Sequence, residues 1–64
     1  MDQIEAIAEK LTSIAEELND LAMHILSEAI SEGQKARPDT EKRVSQARRS
    51  VEKAVHQLTS LSGD

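Results

Sequence analysis

IEAIAEKLTSIAEELNDLAMHI, residues 4–25, sets Ile4, Ile7, Leu11, Ile14, Leu18, Leu21 and Ile25 in alternating steps of three and four. That spacing keeps large apolar side chains on one stripe of an α-helix, in the manner of a coiled coil. A strand would need alternation by two, which this stretch lacks. Upstream, Asp2 with Glu5 three residues on forms a capping-box pattern, in which side-chain oxygens accept from the unpaired N–H groups of a helix start. Downstream, Gly33 marks the end of the periodicity, since glycine most readily takes the left-handed conformation that closes a helix. A first helix over about residues 3–32 is therefore expected.

Pro38 begins the next helical signal, because its φ is preset for a first turn and Asp39 and Glu41 complement the positive end of the macrodipole. Val44, Ala47, Val51, Ala54, Val55, Leu58 and Leu61 continue it at three-four spacing, giving a second helix over about residues 38–61. Ser62-Gly63-Asp64 reads as a fraying tail. The short loop Gly33 to Arg37 makes the two helices antiparallel neighbours. The fold expected for residues 1–64 is thus a single all-α domain, an antiparallel two-helix hairpin.

Laid side by side around that loop, Ile25 falls near Ala47, Leu21 near Val51, Ile14 near Leu58 and Leu11 near Leu61. In this register the first helix overhangs the second, and Ile4, Ile7 and Ala8 lack a partner in their own chain. A second line, Ala8, Ala15, Ala22 and Ala29 at intervals of seven, joined by Leu26 and Ile30, widens the apolar arc beyond what one neighbour requires. Both features predict assembly into a homodimeric four-helix bundle, with a higher oligomer or a bundle shared with another protein as alternatives. Ile4, Ile7, Leu11, Ile14, Leu18, Leu26 and Ile30 are the residues assigned to association.

Composition narrows the function. The 64 residues include no Cys, Phe, Trp or Tyr, which excludes disulfides, thiolate metal sites, a cysteine nucleophile and aromatic stacking platforms. Asp20, His24 and Glu28 stack at intervals of four, but the Glu-x-x-His pair of di-iron bundles is missing, so no metal or cofactor is expected. No phosphate-binding glycine loop, nucleophile elbow or His-Glu-x-x-His motif is present, and no enzymatic activity or catalytic residue is assigned. The acidic start Met1-Asp2-Gln3-Ile4-Glu5 is unlike a secretory leader, and no apolar run reaches the length of a membrane span. A cytoplasmic protein, complete as it stands and without membrane attachment, is expected.

Charge is divided between the halves. Residues 1–32 carry eight acids and one base, a balance of −7; residues 33–64 carry seven bases and four acids, a balance of +3. A bridge across the hairpin between Glu28 and Arg43 is expected, chiefly as an orienting device. Lys42, Arg49 and Lys53 form a basic stripe on the outside of the second helix, the place for contacts to a partner protein or to phosphates. The function expected is a small non-enzymatic protein–protein interaction module, an adaptor, regulator or assembly factor, that self-associates through helix packing. The alternative is a small RNA- or DNA-binding bundle using the basic face of the second helix.

Overall fold

Two helices packed antiparallel, α1 (Gln3–Ser31) and α2 (Asp39–Ser62), make up the computed structural model, which describes residues 2–62. The all-helical hairpin expected from the periodicity is present. Gly63 and Asp64, read from the sequence as part of a fraying tail, lie outside the described residues, while the backbone of Ser62 is still helical.

Local chemistry fixes the ends of α1. Asp2 adopts extended dihedrals, and its Oδ1 accepts from the Glu5 N–H at 2.7 Å, satisfying one of the donors that a helix start leaves unpaired. At the other end, the Gly33 N–H donates to the Ile30 carbonyl and the Gln34 N–H to the Ala29 carbonyl, both at 3.0 Å. With Gly33 at φ 85°, this is a Schellman closure, and it stops the helix at Ser31, with Glu32 as its cap. The connection then runs over residues 32–38. Pro38 stands just before α2, its carbonyl accepting from the Lys42 N–H at 3.1 Å, so the helix proper starts at Asp39.

The seam between the helices differs from the one expected. The three-four spacing predicts large residues there, with the alanine line facing a second partner. In the structure Ala8, Ala15, Ala22 and Ala29 are the buried core, each only 4 to 5% exposed. Methyl groups repeated every seven residues let the two backbones approach closely, which a row of isoleucines would prevent. On α2 the matching positions are mostly polar: Glu41 and Ser45 are buried and Arg48 is partly covered, with Val55 the apolar exception. The aliphatic stem of Arg48 can lie along the alanines while its head reaches the rim, where it meets Glu52 at 3.1 Å.

The expected overhang is also corrected. Thr59 and Val55 share a groove with Glu5, Ala8 and Thr12, so α2 reaches back far enough to cover Ala8. Ile4 is partly covered, and Ile7 remains half exposed. The residues that share these grooves put the register roughly one helical turn from the side-by-side placement. The expected Glu28–Arg43 bridge is absent. The new register and the outward placement of both residues part them: the Arg–Glu pairs among the described residues are local, four residues apart, and Glu28 instead lies beside His24 at 3.4 Å.

The hairpin is 48 Å long and 15 by 12 Å in section, with a radius of gyration of 14.8 Å. A compact chain of this length would have a radius near 10.7 Å, so the protein is a rod. No helix among the described residues is long and apolar enough to cross a membrane.

Candidate interaction surface

Burying the alanine line turns the bulky residues of α1 to one side of the hairpin. Counting by sevens, Ile4, Leu11, Leu18 and Ile25 flank the seam and are partly covered. One step further round, Ile7, Ile14 and Leu21 remain 50, 43 and 45% exposed. The same side of α2 carries Val44, Val51 and Leu58 beside the seam, then Ala47, Ala54 and Leu61. Together they make an apolar strip along most of the rod, with no charged residue among these positions. Leu61, the most open, is 71% exposed.

The opposite side is polar. Its groove is bordered by Glu16, Asn19 and Asp20 of α1 and by Arg48 and Glu52 of α2. Lys42, Arg49 and Lys53 are all exposed on α2, outside this groove and without an ion-pair partner among the described residues. No three His, Asp or Glu side chains converge into a metal site among the described residues. The stacked Asp20, His24 and Glu28 supply only the local His24–Glu28 contact.

Of the residues assigned to association, Ile4, Ile7, Leu11, Ile14 and Leu18 lie on the apolar strip. Leu26 and Ile30 do not: with Met23 they form a smaller apolar patch near the turn, on the groove side. Leu21 and Ile25 of α1 and all the α2 positions of the strip, from Val44 to Leu61, are absent from that assignment. Their signal was present in the three-four spacing, but they had been placed inside the hairpin seam.

A cluster at the turn end holds the second helix in place. Glu41, 5% exposed, accepts from Arg37 Nε at 2.5 Å and Nη2 at 2.9 Å, and from Ser45 Oγ at 2.7 Å. These hydrogen bonds, from Arg37 first and then Ser45, hold the Glu41 carboxyl down to about 2, and the same pairing raises the Arg37 guanidinium. The bidentate fork ties the connection to α2, and every buried polar side-chain atom among the described residues has a partner. The sequence signal was Arg, Glu and Ser at intervals of four, Arg37-Glu41-Ser45.

No family model matches the chain, and neither a curated protein nor a solved structure was found that matches it.

Proposed function

We propose that this protein is a non-enzymatic protein–protein interaction module that self-associates through its apolar strip as a homodimeric four-helix bundle. One observation carries the reading: Ile7, Ile14 and Leu21 stay about half exposed in an unbroken row, flanked by further Ile, Leu and Val along the rod. Contiguous apolar surface of this extent marks an association site.

Area supports the same conclusion. The accessible surface is 4978 Å², against about 4000 Å² for a compact monomer of this mass. A face 48 by 15 Å projects to about 700 Å², close to the ~800 Å² each partner contributes to a standard interface. A second hairpin has the matching length and the same apolar strip, so two copies cover each other without help from a third chain.

Sedimentation equilibrium tests the proposal. Twice the 7.0 kDa chain mass is expected, and Ile7→Asp should shift it to one chain or unfold the protein. A folded monomer at micromolar concentration would overturn the reading. The nucleic-acid alternative draws on exposed Lys42, Arg49 and Lys53, but the neighbouring groove carries Glu16, Asp20 and Glu52 against Arg48, a balance that repels phosphate.

A further inference from the structure

Two hairpins can cover their apolar strips in two ways about a twofold axis. With the axis along the rod, the turns lie at the same end and α1 packs on α2 of the second copy. With the axis across the rod, the turns lie at opposite ends and α1 packs on its own counterpart. Resting on the dimer proposed above, we infer that the second copy docks with its turn at the same end.

Side-chain size distinguishes the two. The strip is bulky on α1, with seven Ile and Leu, and slimmer on α2, where Val44, Ala47, Val51 and Ala54 precede Leu58 and Leu61. Same-end docking sets the bulky half against the slim half, so both pairs of facing helices keep a similar separation. Opposite-end docking sets bulk on bulk and small on small, which splays one pair and leaves voids in the other; loss of packing contacts makes such gaps costly.

Charge points the same way. Opposite-end docking would face the −7 half of one chain with the −7 half of the other, and Glu17, at the middle of α1 on the rim of the strip, would approach its own copy. Same-end docking faces the −7 half with the +3 half. It also sets Arg43, on the α2 rim and without an ion pair among the described residues, within about one helical turn of Glu28 on the α1 rim of the second copy. Like charges brought together across an interface disfavour the wrong arrangement more than the right pair favours the correct one.

The chain has no cysteine, so a single spin label can be placed at the turn through Lys35→Cys, an exposed position outside both helices. Light scattering gives the mass of the same sample, and double electron–electron resonance the distance between labels. Same-end docking predicts a dimer mass and a distance of roughly 15–30 Å, from helices about 10 Å apart plus the label tethers. A dimer mass with a distance approaching the 48 Å length of the rod would overturn the inference and leave the interaction module standing. A single-chain mass would remove both, and a mass above two chains would overturn the two-hairpin arrangement.

Discussion

Replacing Ile14 with alanine should weaken the proposed dimer while leaving the hairpin folded. Moving an isoleucine fully from water into an apolar setting contributes ~1.5–3 kcal/mol. In the single hairpin, 43% of Ile14 is still exposed, so covering the remainder on association contributes about 0.6–1.3 kcal/mol per copy. Two copies give about 1.3–2.6 kcal/mol per dimer, or roughly a 10- to 80-fold rise in the dissociation constant. Sedimentation equilibrium over a concentration series reads this directly, and far-UV circular dichroism checks that helicity is retained. Met23→Ala is the matched control. Met23 is 63% exposed, more than Ile14, but lies on the groove side, and its removal should change dissociation by no more than about twofold. A dimer indifferent to Ile14→Ala yet weakened by Met23→Ala would refute the placement of the interface.

The remaining expectations concern the hairpin itself. Ala22→Leu forces extra volume into the seam and should destabilise by about 1–3 kcal/mol in urea unfolding; an unchanged midpoint would mean that alanine is not what lets the helices approach. Gly33→Ala meets no neighbour within 4 Å, so its cost is purely that of a left-handed residue, about 1–2 kcal/mol by the same measurement. Acid should act through Glu41: with its carboxyl held at about 2, below the ordinary 4.5, it contributes stability that is full above pH 4.5 and is lost as pH falls through 2. Thermal melts from pH 5 to 2 should therefore show a decline that Glu41→Gln flattens, and equal slopes would exclude the Arg37–Glu41–Ser45 cluster as its source.

Helix number, ends and chain direction were legible because each depends on local chemistry. Asp2 can cap only a helix that starts at Gln3, and Gly33 closes one where a side chain would be strained. The choice of seam was not legible in the same way. Ranking residues by hydrophobicity puts Ile14 and Leu21 inside, whereas distance of approach puts Ala15 and Ala22 there, and the two criteria differ by about a third of a turn of the helix. The seven-residue recurrence of alanine was visible, but its contact was assigned to the wrong neighbour. Glu41 was read only as an acid near a helix start; its burial depends on Arg37 and Ser45 converging on it, a tertiary fact that spacing alone does not supply. Of the association residues, those from Ile4 to Leu18 lie on the open strip because they share one face at any register, while Leu26 and Ile30 turn away with the groove.

Because methyl groups alone line the buried seam of α1, a solitary hairpin has little apolar volume with which to resist thermal opening. On the proposed dimer, association adds to that small margin, so the melting temperature climbs with protein concentration. Scarce copies would spend more time open to proteases than abundant ones, so the alanine seam would make the lifetime of each molecule depend on how many others surround it.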